Sequence, residues 1–206
     1  MQRYFITGIG TDVGKTVVSA IVTECLQADY WKPIQSGDLD NSDTQKLQQW
    51  VTNSKTVFHP NSYALNTPIS PHAAAEIDDI NISAKAIQTP VTTNNLVVEG
   101  AGGLLVPINN TETILNLIEP NDKIILVSRH YLGSINHTLL TAEILKQHKL
   151  KKVGIIFNGN EHPTTESIIL SKTNYPLLGR IDQENKINMQ VISKYATQLR
   201  QRLKEF

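Results

Sequence analysis

The stretch Gly8-Ile9-Gly10-Thr11-Asp12-Val13-Gly14-Lys15-Thr16 gathers the residue types that hold a nucleoside triphosphate. Glycines let the backbone curl until its N–H groups converge on phosphate oxygens. A helix opening near Gly14 adds the positive end of its dipole. Lys15 supplies a point charge for the outer phosphates, and the Thr16 hydroxyl suits a Mg²⁺ ion. The spacing departs from the usual loop: Gly8 precedes Gly14 by six positions, and Ile9 stands where a glycine is expected. A chance glycine-rich turn is the plain alternative. The strand before, the glycines, Gly-Lys-Thr and the helix after outweigh it.

Other charged residues fall where they can serve that loop. Leu96-Val97-Val98-Glu99-Gly100-Ala101-Gly102-Gly103 reads as a buried strand ending in a carboxylate and a flexible turn. Ligands of parallel sheets gather beyond the carboxyl ends of strands, so Glu99 is expected beside the phosphates as an oxygen ligand of Mg²⁺. A solvated acid in a tight turn is the bland reading. Tyr30-Trp31-Lys32-Pro33-Ile34-Gln35-Ser36-Gly37 places Lys32 at the end of a second strand, in reach of a γ-phosphate. Taken alone, that lysine reads more readily as a surface residue. In Asn41-Ser42-Asp43-Thr44, Asp43 starts a helix, either as its cap or as a second carboxylate for the metal.

Leu132-Gly133-Ser134-Ile135-Asn136-His137 opens an amphipathic helix whose first N–H groups, at Gly133, Ser134, Ile135 and Asn136, suit a substrate carboxylate. Ser134 as an ordinary N-cap explains the same residues. Ser70-Pro71-His72 reads as an N-cap followed by proline at the first helical position. His72 and His137 have no partner set for a metal site or a triad. Cys25 lies among Val18, Ile21, Val22 and Leu26, a buried helix face, and reads as core filler.

The elements needed to position these groups follow a βαβ rhythm. Strands are expected at 4–7, 30–32, 96–99, 123–127 and 153–157, with a weaker one at 177–178. Helices are expected at 14–27, 43–51, 72–77, 114–118, 135–148, 165–171 and 188–203. The polar stretch 35–94 reads as loops and short helices over the sheet edge. The last helix carries Met189, Ile192, Ala196, Leu199 and Leu203 at helical spacing. That stripe is expected to pack on the sheet, with dimer contact as the lesser reading. These patterns imply an α/β fold of one domain over residues 1–206. They predict a mainly parallel sheet with helices on both faces, the Rossmann-like three-layer architecture of a P-loop NTPase.

Lys and Arg total 19 and so do Asp and Glu, so no net field draws nucleic acid or an anionic membrane. A single cysteine excludes an internal disulfide and suits a reducing compartment. No apolar run reaches the roughly 18 residues of a membrane span, and no signal peptide is legible, so the expectation is a cytoplasmic protein.

In order along the chain, these blocks resemble the dethiobiotin synthetase family. The resemblance rests on Gly8 through Thr16, Lys32-Pro33-Ile34-Gln35-Ser36-Gly37, Asn41-Ser42-Asp43, Ser70-Pro71-His72, Glu99-Gly100-Ala101-Gly102-Gly103 and Leu132-Gly133-Ser134-Ile135-Asn136-His137. It continues through Gly154-Ile155-Ile156-Phe157-Asn158 and Pro176-Leu177-Leu178-Gly179-Arg180-Ile181. It implies ring closure in biotin synthesis, with diaminopelargonic acid, CO₂ and ATP as substrates and Mg²⁺ as cofactor. The implied nucleotide-binding residues are Asp12, Val13, Gly14, Lys15, Thr16 and Val17, with Asp43, Glu99, Gly100, Ala101, Gly102 and Asn158. Asn158 is implied to recognise the base. Lys15 and Lys32 are the implied catalytic residues, and Thr16, Asp43 and Glu99 the implied metal set. Ser36 and the helix start at Gly133, Ser134, Ile135 and Asn136 are implied to hold the substrate. That helix start comes from the neighbouring subunit in the family, which implies a homodimer with its substrate site at the interface.

Gly10 departs from the family's common aspartate, and Gly159 follows Asn158 where some members carry an aspartate. Residues 179–183 depart as well. Two rivals share the loop. A small P-loop kinase would need an Arg-rich lid and gives no role to Glu-Gly-Ala-Gly-Gly. A partition-type ATPase switch carries a lysine five positions before the loop lysine, where this chain has Gly10. An amide-forming relative would need a glutaminase domain for which 206 residues leave no room.

Overall fold

The apolar runs line up as parallel strands in the computed structural model, which describes residues 1–206. In chain order the elements are β1 (Arg3–Gly8), α1 (Lys15–Leu26), β2 (Asp29–Trp31), β3 (Ile34–Ser36) and α2 (Asp43–Trp50). Then follow β4 (Phe58–His59), β5 (Tyr63–Leu65), α3 (Pro71–Ile77), β6 (Leu96–Gly103) and β7 (Lys123–Arg129). The chain closes with α4 (Ser134–Gln147), β8 (Val153–Asn158), α5 (Pro163–Thr173), β9 (Leu177–Ile181) and α6 (Met189–Glu205).

Seven strands form one sheet in the order β4-β2-β6-β1-β7-β8-β9, every neighbouring pair parallel. The central strands β1 and β7 are buried along nearly their whole length and β6 from Leu96 to Gly100, which is why these stretches run apolar instead of alternating. From β1 the chain winds one way through α1 to β2; from β7 it winds the other way through α4 to β8. Right-handed crossovers in opposite directions put α1 and α4 on opposite faces. The helix α6 returns to pack on α1, and α5 packs on α4. The expected stripe on α6 is a packing face: Ile192, Ala196, Leu199 and Leu203 are buried, whereas Met189 is exposed. One continuous core joins both faces.

Four expectations need correction. The stretch 35–94 is not only loops and short helices: β4 extends the main sheet as its edge, and β5 pairs with β3 in a separate two-stranded sheet. These strands are two or three residues long, too short to show a period. The helix expected at 114–118 is a single 3₁₀ turn, Ile114–Leu117. Lys32 lies just past β2, next to Pro33. The strand β6 does not end at Glu99 but continues through the glycines to Gly103, which pairs with Gly8. Glycines permit that close approach of two backbones. No helix is long and apolar enough to cross a membrane.

Candidate functional site

The tip of β1 turns into α1 through the glycine loop. Gly14 is the N-cap of α1 with φ 95°, in the left-handed region that favours glycine. A Cβ there would also collide with the Asn158 amide. Gly10 differs: a Cβ would meet nothing within 4 Å, so the family's aspartate has room at this position. None of the backbone N–H groups of residues 10–17 has an acceptor within the chain; Ile9 donates to Val127 and Val18 to Gly14 on either side. A run of unpaired donors at a helix start is the arrangement that binds phosphate.

Asp12, Gly14, Lys15, Thr16 and Val17 line one wall of a cleft of about 950 Å³. Lys32, Ser36, Asp43, Glu99, Ala101 and Gly102 line the same cleft. Lys15 Nζ donates to the Gly10 carbonyl at 2.8 Å. Burial, and next the charge of Lys32, lower its pKa to about 8. Lys32 is buried, with Nζ 2.5 Å from Asp43 Oδ2 and 3.0 Å from Glu99 Oε1. Burial pulls its pKa down, but Glu99 and then Asp43 outweigh that and raise it, so the ammonium is firmly charged. Burial likewise pushes Asp43 up, and Lys32 and Thr16 outweigh it, holding that carboxyl below its usual range.

Local sequence explains the aim of each group. Ser42 caps α2, accepting from the Gln45 N–H, and the Gln45 side chain returns to the Ser42 N–H. Asp43 is therefore not the cap, and its carboxylate is left to face the cleft. Gln35, which sequence reasoning passed over, accepts from the Asp43 N–H at 3.3 Å and donates to the Gly37 carbonyl at 3.0 Å. Tyr30 was passed over too: its hydroxyl donates to Glu99 Oε2 at 2.9 Å. Its one available signal was its position two residues before Lys32, on the same face of the chain.

Thr16 Oγ1 lies 3.0 Å from both Asp43 Oδ1 and Glu99 Oε1. Two carboxylate oxygens and a hydroxyl oxygen, Asp43 Oδ1, Glu99 Oε1 and Thr16 Oγ1, thus converge at one place on the cleft wall. A hard divalent cation fits that donor set. No group of three or more His, Cys, Asp or Glu side chains is placed to hold a metal ion by itself. Two carboxylates, a hydroxyl and phosphate oxygens match the sparser way in which Mg²⁺ is usually held.

The remaining expected residues separate. Asn158 ends β8 and lines a smaller cleft of about 200 Å³ on the far side of the loop, shared with Asp12, Gly14 and Val17. Its Nδ2 donates to the Val13 carbonyl at 2.8 Å, while its Oδ1 accepts nothing within the chain. Val13 is buried beneath the loop, and Gly100 packs against Phe5 and Ile114; neither lines either of these two clefts. Gly133, Ser134, Ile135 and Asn136 lie outside both clefts. Ser134 is not the N-cap of α4; Gly133 is, with φ 101° and no side-chain cap. Ser70 does cap α3 ahead of Pro71, though without a side-chain bond.

A family model described as an AAA domain matches residues 2–191. A Christiangramia forsetii protein named ATP-dependent dethiobiotin synthetase BioD is 58% identical over 204 residues, 99% of each chain. This chain belongs to the dethiobiotin synthetase family. A Cytophaga hutchinsonii protein of the same name is 48% identical over 97% of each chain. Among solved structures, a plasmid partition protein of Borrelia burgdorferi bound to AMPPNP aligns with a TM-score of 0.57 at 11% identity. That match covers 99% of this chain and 97% of the other. A ParA-family ATPase of Chlorobium tepidum gives 0.53 at 16% identity, over 99% and 96%. At such identities the likeness is one of fold alone.

Proposed function

We propose that this chain is the ATP-dependent ligase that closes the ureido ring of dethiobiotin, with residues 1–206 acting as one functional unit. The observation that carries the reading is the convergence of Lys32, Asp43, Glu99 and Thr16 at the lip of the glycine loop. CO₂ adds to one amine of diaminopelargonic acid, forming a C–N bond and releasing a proton. A carbamate oxygen attacks the γ-phosphorus of ATP, and the bond to ADP breaks. The second amine then attacks the carbonyl, and phosphate leaves with the bridging oxygen.

A carbamate is already an anion, so its attack needs no general base. What it needs is alignment and charge neutralisation. Lys15 and Lys32 supply two ammonium groups, and the free N–H groups of the loop cradle the phosphates. Mg²⁺, held by Thr16, Asp43 and Glu99, neutralises phosphate charge when bound. Ser36, whose buried hydroxyl oxygen has no partner in the chain, faces the substrate from the same cleft. Asn158 reads the base: with one amide hydrogen on Val13, its second hydrogen and its Oδ1 match the N7 acceptor and amino donor of adenine.

The start of α4 serves a second copy of the chain, making the enzyme a homodimer. Leu132, Ile135 and Leu140 are exposed apolar side chains around its first two turns; the Ser134 N–H is taken by the Tyr131 carbonyl, which leaves those of Gly133, Ile135 and Asn136 for a tail carboxylate. The reaction belongs to the cytoplasm, where ATP is supplied. The test is carbon-labelled bicarbonate with ATP and diaminopelargonate: label enters an acid-stable product only when both are present. ATP turnover indifferent to both would overturn the reading.

A further inference from the structure

We propose that Tyr30 is a positioning residue that makes Glu99 a one-oxygen ligand and so selects a small octahedral cation over a larger one. This rests on the magnesium reading given above. The two oxygens of Glu99 have different partners. Oε1 faces the cleft, 3.0 Å from Thr16 Oγ1 and 3.0 Å from Lys32 Nζ. Oε2 turns inward and accepts the Tyr30 hydroxyl at 2.9 Å.

The arrangement follows from strand register. Tyr30 pairs with Val97, and Glu99 lies two residues further along β6, on the same face. Tyr30 is fully buried, and the edge of Phe58 meets its ring at 6.2 Å between centroids. Packing alone asks only for a phenyl ring at this position. The hydroxyl adds a bond to one oxygen of the carboxylate. Removed, it would leave Oε2 buried without a donor, free to turn toward the cleft.

Mg²⁺ demands near-ideal octahedral geometry and takes carboxylates through few oxygens, whereas Ca²⁺ accepts six to eight oxygens and bidentate carboxylates. A carboxylate with one oxygen committed to a phenol offers the metal the other oxygen only. Tyr30 therefore disfavours the chelating mode that a larger ion uses. The partners of metal ligands commonly set metal affinity in this indirect way.

The test compares wild type with Tyr30→Phe by calorimetry of a non-hydrolysable ATP analogue in saturating Mg²⁺ and in saturating Ca²⁺, so turnover is not the readout. The ratio of the calcium to the magnesium dissociation constant is expected to fall by about tenfold in the variant, the scale for removing a partner of a metal ligand. An unchanged ratio overturns the inference. Should the variant not fold, wild-type difference infrared spectra assigned with Glu99→Gln carry the test. Wide carboxylate splitting in the Mg²⁺ complex supports one-oxygen ligation, and narrow splitting contradicts it. Glu99→Gln also separates the two levels of argument. If nucleotide binding stays as metal-dependent in that variant as in wild type, the magnesium reading itself fails and the role of Tyr30 falls with it.

Discussion

The Lys32 ammonium lies 2.5 Å from the Asp43 carboxylate, bridging the end of β2 and the first residue of α2. Glu99 closes the group from β6 at 3.0 Å. In the function proposed above, Lys32 is the ammonium that meets the moving phosphoryl group. Replacing it with alanine should leave ATP binding largely in place, because the loop and Lys15 are untouched. Turnover should fall about 10²–10³-fold, the scale for removing one preorganised charge from developing negative oxygens. Melting should be followed alongside, since removing one partner of a buried ion pair costs about 3–5 kcal/mol. Wild-type turnover in Lys32→Ala would make that lysine a structural residue only.

Asn158 makes a prediction about the base. Its Nδ2 is held on the Val13 carbonyl, which fixes the orientation of the amide and turns Oδ1 to the smaller cleft as an acceptor. An acceptor there welcomes the amino group of adenine and opposes the O6 acceptor of guanine. ATP should bind tighter than GTP by about 1–3 kcal/mol, the discrimination expected of a well-formed amide–base pair. Asn158→Ala should erase most of that difference, measured as the ratio of the two dissociation constants. Equal affinity for ATP and GTP in wild type would contradict the assignment.

A third prediction concerns the opposite end of the sheet. Asp122 is buried, and that burial, outweighing Arg3 at 3.1 Å, raises its pKa to about 6 from an ordinary 3.8. The folded protein thus binds this proton more tightly than the unfolded chain does. Its stabilising contribution is full below the ordinary value and is lost as pH rises through about 6. The buried Asp29 and the half-buried Asp43 have lowered values, so their opposite effect falls at lower pH. The melting temperature of wild type relative to Asp122→Asn should therefore be higher near pH 5 than near pH 7.5, by the linkage of proton binding to folding. A difference that does not change with pH would contradict this account of the Arg3–Asp122 pair.

Legibility in the sequence followed element length and locality. The strands β1, β7 and β8 are continuous apolar runs, and each was visible. The strand β4 has only Phe58 and His59, and its place at the sheet edge depends on pairing with Tyr30 and Trp31, which no local pattern encodes. The extension of β6 was hidden because glycines signal turns, and here the chain does bulge after Glu99 before Gly103 returns to pair with Gly8 of β1. Lys15, Lys32 and Glu99 were legible because each is a charged residue at or beside the end of an apolar run, and Asp43 because it follows a capping serine at a helix start. Tyr30 and Gln35 were not, since a strand aromatic and a loop amide look ordinary until register shows what they touch.

The central claim is that phosphate and carbamate oxygens meet at this one cluster and that an oxygen passes from CO₂ to phosphorus. Single-turnover reaction of freshly mixed ¹⁸O-labelled bicarbonate, ATP and diaminopelargonate, with mass analysis of the released phosphate, measures that transfer directly. One heavy oxygen in each phosphate is the predicted result. Phosphate that carries no label from bicarbonate, and takes its new oxygen from water instead, would contradict it.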